Sequence, residues 1–254
     1  MPITTAWYYP WLFAMGLNAV LLSTLWISPK KFLTPVGILN AWLLGVIVWA
    51  TLGWQGYAVV VFYFIFGSAV TRVGLAEKEA MGIAEKRSGA RGAANVWGSA
   101  LTATICALAT LFVSEPISNL LLLGYVASFT TKLSDTTATE IGKAYGKRTF
   151  LITTLKPVPR GTEGAVSLEG TLAGIAASIA IAFLGWAVGM ISFLGVIWCI
   201  IAAFVATTIE SLIGATIEDK ISWLTHDLVN ILNTLIGAVV AIFIAWIYQS
   251  TAIG

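Results

Sequence analysis

Apolar residues dominate this chain in long runs, broken at intervals by short polar connections. A transmembrane helix needs about 20 mostly apolar residues. Eight runs meet or approach that length, at about 10–28, 36–52, 55–71, 97–113, 116–134, 167–187, 189–209 and 230–249. Two breaks are very short: Gly53 to Gly56 separates the second run from the third, and Gly185 to Gly189 the sixth from the seventh. The pattern predicts an all-α, polytopic transmembrane helical bundle of about eight spans, forming one integral-membrane domain over residues 1–254. Small residues in the sixth run, Gly170, Ala173, Gly174 and Ala177, predict close helix packing.

The charged residues test that count. All 14 lysines and arginines fall in four alternate connections. These hold Lys30 and Lys31; Arg72 to Arg91; Lys132 to Arg160; and Lys220. With eight spans the four connections share one side, which the positive-inside rule makes cytoplasmic, and both termini lie on the opposite side. Among acidic residues, only Glu115 falls in a connection on that opposite side. Trp54, Trp97 and Trp186, near span ends, suit the interfaces. Met1 to Ser28 holds no Lys or Arg, so the first run lacks the basic start of a secretion signal and is expected to remain as a helix.

Composition agrees. Hydrophobic residues make up 58% of the chain and charged residues 10%, against about 25% in soluble domains. A surface with so little charge is solvated by lipid. The net charge of +2 gives no footprint for a nucleic acid. Cys106 and Cys199 sit in apolar runs without a metal-ligand pattern, as structural thiols do.

Candidate chemistry gathers in the polar connections. Between the third and fourth runs, Glu77, Lys78, Glu79, Glu85 and Lys86 read as a solvated charged helix. Arg91 and Asn95 instead enter the fourth span beside glycines, where a helix N-terminus with an arginine can seat a phosphate. After the fifth span, Lys132-Leu-Ser-Asp135-Thr-Thr-Ala-Thr-Glu140-Ile-Gly-Lys143 sets carboxylates and hydroxyls at the membrane edge, followed by Lys147 and Arg148. Magnesium takes one or two carboxylates, water and substrate phosphates. Asp135 and Glu140 therefore suit a magnesium-bound phosphate, the alternative being a solvated span end. Gly142 to Thr149 is not a P-loop: three residues separate its glycines, and Arg148 stands where Ser or Thr must follow the lysine.

The prolines in Lys156-Pro-Val-Pro-Arg160 forbid a regular helix. Gly161-Thr162-Glu163-Gly164 then offers backbone N–H groups for an anion nest with Lys156 and Arg160, or else forms a plain surface linker. Farther on, Thr207, Glu210, Ser211 and Gly214 share one helical face, as do Asp227, Asn230 and Asn233. Ionisable groups abutting a span mark cavities or partners, so Glu210 is a candidate, with helix-to-helix hydrogen bonding as its alternative. His226 has no ligand spacing and reads as interfacial.

Ser134 to Gly142, Leu151 to Ser167, Glu210 to Thr216 and Asp227 to Ala238 together resemble an integral-membrane family that includes the phytyl-phosphate kinase of plants and cyanobacteria. The resemblance runs from about residue 60 to the end. It implies transfer of the terminal phosphoryl group of a nucleoside triphosphate, CTP, onto an isoprenoid monophosphate, giving phytyl diphosphate for tocopherol and related prenyl lipids. It further implies Asp135 and Glu140 as Mg²⁺ ligands, and Lys156 and Arg160 beside them as catalytic groups. Arg91, Asn95, Lys143, Gly161, Thr162, Gly164, Glu210, Asp227, Asn230 and Asn233 would bind nucleotide and lipid phosphate. A nucleotidyltransferase and a transporter of a small anion or lipid phosphate are the rival classes.

Overall fold

The computed structural model describes residues 8–28, 31–217 and 223–252. Lys30, Lys220 and both extreme termini, on which part of the expected topology rests, lie outside the described residues. Eight α-helices account for most of the chain: α1 (Tyr9–Ile27), α2 (Pro35–Thr71), α3 (Leu75–Ala80), α4 (Ala93–Ala109), α5 (Ile117–Tyr145), α6 (Leu168–Ala187), α7 (Phe193–Thr216) and α8 (His226–Ala252). Strands β1 (Thr149–Leu151) and β2 (Ala165–Ser167) pair antiparallel between α5 and α6. This small hairpin is the exception to the all-α expectation. The prolines between its strands exclude helix there.

The second and third apolar runs form one continuous element, α2, and the manner of its joining decides the span count. A straight helix of 37 residues would be about 55 Å long, nearly twice the hydrocarbon thickness. Gly53 prevents that, because its backbone leaves the helical region at φ 64° and ψ −157°. A left-handed φ of this kind favours glycine. The chain folds back there: the rings of Trp49 and Tyr57 lie 5.2 Å apart. Both far ends of the element reach the same residue, since side chains placed on Gly37 or Gly67 would each strike Arg91. In a straight helix those glycines would be about 45 Å apart. Each limb of the hairpin is therefore about 27 Å long and spans the membrane once.

Among the described residues, six helices are long and apolar enough to cross a membrane, α2 counting as one. The hairpin in α2 adds a crossing. So does α5, although its second half is polar. It is the axis of the bundle, packed on α2, α4, α6, α7 and α8. Residues 123–135 are buried without a break, so α5 faces protein on every side. A helix enclosed in this way can carry Thr130, Thr131, Lys132 and Asp135 within a span.

The other helices turn their large apolar side chains outward, as lipid solvent requires: Phe13, Leu39, Ile105, Phe183, Phe243 and Trp246 are all exposed. Glycines set the tightest approaches on the inside. A Cβ on Gly174 would come within 2.9 Å of the Ser134 carbonyl of α5, and one on Gly98 within 3.2 Å of the Asp227 carbonyl of α8. The packing expected of the small residues in the sixth run is thus made at Gly170 and Gly174, both buried against α5. Cys106 and Cys199 are buried free thiols.

Candidate active site at one end of the bundle

The polar connections meet at one end of the bundle. The Arg72 guanidinium donates to the Lys31 carbonyl at 3.0 Å and stacks 4.0 Å above the Phe32 ring. The backbone N–H of Thr34 donates to the Arg91 carbonyl, and that of Arg91 to the Phe32 carbonyl, both at 3.0 Å. Arg160 reaches Glu77, and Asn95 reaches Asp227. Residues 31–34, 72–95, 149–167 and the start of α8 thus form one polar cap.

Beneath the cap lies a cavity of about 230 Å³. Asp135, Thr136, Thr139, Glu140 and Lys143 of α5 line it, with Arg91 and Asn95, the loop residues Gly161 to Gly164, Glu210 of α7 and Asn230 of α8. Thr207, Glu210, Ser211 and Gly214 all face it, as their spacing along one helical face predicts. His226 also contributes to the wall. It lies close enough to Asp135 to act on its charge, a position its sequence context does not reveal.

Two buried ion pairs organise the cavity. Lys132 donates to Asp135 Oδ2 at 2.6 Å and also to Asn230 Oδ1. The Glu210 carboxyl group lies close to Asp135 and within Coulombic range of Lys132. Asn233 donates to Glu210 at 2.7 Å. Residues from α5, α7 and α8 therefore form one network: Lys132, Asp135, Glu210, Asn230 and Asn233. In the second pair, Lys78 of α3 donates to Glu140 and, at 2.9 Å, to the Thr71 carbonyl.

The sequence does not disclose Lys78. Its segment reads as a solvated charged helix, yet Lys78 is 0% exposed. Glu77, Glu79 and Lys86 are exposed as that reading predicts, whereas Glu85 is half-buried and lines the cavity. Lys132 is equally unannounced except by its position three residues before Asp135, where helical geometry lets the two side chains meet.

Ten of the expected site residues line the cavity together: Arg91, Asn95, Asp135, Glu140, Lys143, Gly161, Thr162, Gly164, Glu210 and Asn230. Four do not. Lys156 is exposed in the loop between the β-strands. Arg160 donates to the Ala144 carbonyl at 2.8 Å and pairs with Glu77, which closes the C-terminal end of α5. Asp227 accepts from Asn95 at 3.3 Å behind the wall. Asn233 is buried one layer deeper, under Glu210. The expected anion nest is also reduced, because Thr162 and Ala165 commit their N–H groups to turns within the loop. Similarly, Asn95 Oδ1 already accepts from the Gly92 N–H at the start of α4. Arg91 donates to the Tyr63 hydroxyl at 2.9 Å, which fixes its guanidinium at the rim.

Among the described residues no three His, Cys, Asp or Glu side chains form a metal-binding group. Magnesium does not need three protein ligands when a phosphate supplies the remainder. Glu140 is engaged by a lysine with no solvent exposure, whereas Asp135 and Glu210 approach each other from different helices. Two carboxylates facing one another beside a single lysine match the donor set that a hard cation prefers.

Comparison with known proteins agrees with this architecture. The chain is 65% identical over 234 residues to an uncharacterized membrane protein of Synechocystis sp., covering 92% of this chain and 91% of that one. It is 47% identical over 214 residues to Protein VTE6, chloroplastic, of Arabidopsis thaliana, covering 83% of this chain and 64% of the plant protein. A membrane protein of Methanocaldococcus jannaschii is 29% identical over 221 residues, 87% of this chain and 89% of its own. No solved structure matches the chain. Residues 18–238, which include the residues that line the cavity, match the family described as Integral membrane protein DUF92, and the chain belongs to that family.

Proposed function

We propose that this protein is a CTP-dependent lipid-phosphate kinase that converts an isoprenoid monophosphate, phytyl phosphate, into its diphosphate. The observation that carries the reading is the cavity itself. Carboxylates and cations from α5, α7, α8 and the Arg91 segment converge at the end of a membrane bundle, in a chain 47% identical to VTE6. Transfer between two anions depends on positioning and on neutralising charge.

In this reading an oxygen of the lipid phosphate attacks the γ-phosphorus of CTP. A new P–O bond forms, the bond from the γ-phosphorus to the β–γ bridging oxygen breaks, and CDP departs with that oxygen. The acceptor phosphate is already deprotonated near neutral pH, so no general base is assigned. Asp135 and Glu210 would hold a Mg²⁺ ion, which would supply positive charge against the phosphates. Lys132 orients the Asp135 carboxylate through their ion pair. Arg91 and Lys143 stand at the rim to pair with incoming phosphates. Thr162 to Gly164 cover the cavity from the loop side.

The test is purified protein with CTP, Mg²⁺ and phytyl or geranylgeranyl monophosphate, with products resolved by mass spectrometry. The reading expects the isoprenoid diphosphate and CDP in equal amounts. Release of pyrophosphate with a CDP-linked lipid would identify a nucleotidyltransferase instead. Uptake of lipid phosphate or a small anion into proteoliposomes without nucleotide would identify a transporter.

A further inference from the structure

The cavity has a polar end and needs a way in for a lipid, and most of its seams are closed. Between α5 and α6, Gly170 and Gly174 bring the backbones together, leaving no room for a side chain. Between α4 and α8, Gly98 lies against Asp227, and the hydroxyls of Thr102 and Thr234 meet at 3.0 Å. Between α7 and α8, Asn233 holds Glu210. On the α2 side Arg91 is bound to Tyr63.

The seam between α6 and α7 differs. At the end away from the cap the two helices are joined by a short turn, and Ile181, Ala182, Ile191, Val196 and Cys199 are buried there. Toward the cap the facing residues, Thr171 and Ile175 on α6 and Phe204, Thr207 and Thr208 on α7, line the cavity instead of closing on one another. Phe204 lines the cavity and is also 51% exposed on the lipid-facing surface, so one side chain belongs to both. The hydroxyls of Thr207 and Thr208 donate to carbonyls of their own helix, Ala203 at 2.9 Å and Phe204 at 2.7 Å. They require nothing from an occupant, and hydrocarbon can lie against them without stranding a polar group.

We infer that the α6–α7 seam is the lateral portal through which the isoprenoid chain of the lipid phosphate runs from the bilayer to the cavity, with Phe204 as its gate. The inference rests on the proposed lipid-phosphate substrate and adds where its hydrocarbon lies. Ile175 and Thr208 form the opposing walls. With the phosphate at Arg91 and Lys143, the chain passes between these walls and its far end stays in lipid.

Two experiments separate this inference from the kinase reading. In the first, a phytyl-type monophosphate carrying a diazirine on its chain is irradiated with the full-length protein in lipid nanodiscs, without nucleotide. Peptide mapping is expected to place the label on 171–175 and 204–208. Labelling confined to α1 or α2 would overturn the portal whatever the protein catalyses. In the second, Ile175→Trp is assayed with phytyl phosphate and with a short prenyl monophosphate. The portal expects kcat/KM for the long acceptor to fall about tenfold further than for the short one, mainly through KM. Ile179→Trp, on the lipid face of α6 outside the cavity, is the control. Thr208→Phe replaces Ile175→Trp should that variant not fold. Equal losses on both acceptors would refute the portal, whereas absence of phosphoryl transfer by the unaltered protein would refute only the kinase reading.

Discussion

Replacing Lys78 by Met tests whether the polar cap is held by one buried ion pair. Lys78 is 0% exposed, and the Glu140 side chain is 5% exposed, so neither charge is solvated. Removing one partner of such a pair leaves an uncompensated buried charge, which costs about 3–5 kcal/mol. The same change removes the donor to the Thr71 carbonyl at the end of α2, but that contribution is smaller, about 1–3 kcal/mol. A double variant, Lys78→Met with Glu140→Leu, removes both charges and retains only the second penalty. The single variant is therefore expected to lose about 4–8 kcal/mol and the double variant about 1–3 kcal/mol. Denaturant unfolding in mixed micelles measures both, and limited proteolysis within 72–92 follows the release of α3. If Lys78→Met costs under about 1 kcal/mol, or the double variant is less stable than the single, the pair does not hold the cap.

Other expectations follow from the same geometry. Asp135→Asn should lower turnover by about 100-fold or more while the protein still purifies as a folded species, because Lys132 retains Asn230 as a partner. Glu210→Gln should raise the Mg²⁺ concentration needed for half-maximal rate far more than Glu140→Gln does, read from metal titrations after EDTA treatment. Arg160→Ala should destabilise the protein by about 1–3 kcal/mol, through its bonds to the end of α5, and change kcat little, since its guanidinium does not line the cavity. Gly164→Val should reduce activity by lifting the loop off α7: its φ is +71°, and a Cβ there would come within 2.6 Å of the Ser211 carbonyl.

The bundle was legible because lipid imposes strong rules on sequence. A span must be long and apolar, and charge must leave the hydrocarbon, so the runs and their alternating basic connections specify the crossings. Even the hairpin in α2 has a local signature, the Gly53 to Gly56 break. The site was legible only where chemistry follows helical spacing. Asp135, Glu140 and Lys143 lie on one continuous α5, and residues 207–214 repeat along one face of α7. Lys78 escaped because α3 has only six residues, and so short a segment carries no usable periodicity. Its lysine is buried by a contact 62 residues away in sequence. Lys156 and Arg160 do not line the cavity, for the converse reason. In a loop a basic side chain gives its charge but not its direction, and the β1–β2 hairpin turns Lys156 outward and Arg160 toward the end of α5.

The two buried lysines divide the labour that the one-sided charge suggests. Lys78 has two fixed partners, Glu140 and the Thr71 carbonyl, so its pair is neutral and static, suited to fastening a loop. Lys132 faces the Asp135 and Glu210 carboxyl groups together with the neutral amide of Asn230, so two acidic side chains share one buried cation, an imbalance that the proposed Mg²⁺ would offset. In the proposed reaction Arg91 and Lys143 would meet the phosphate charge. Glu140, already neutralised by Lys78, offers no such imbalance. The geometry therefore favours Glu210, on α7, over Glu140, on the same helix as Asp135, as the second carboxylate of the proposed metal site.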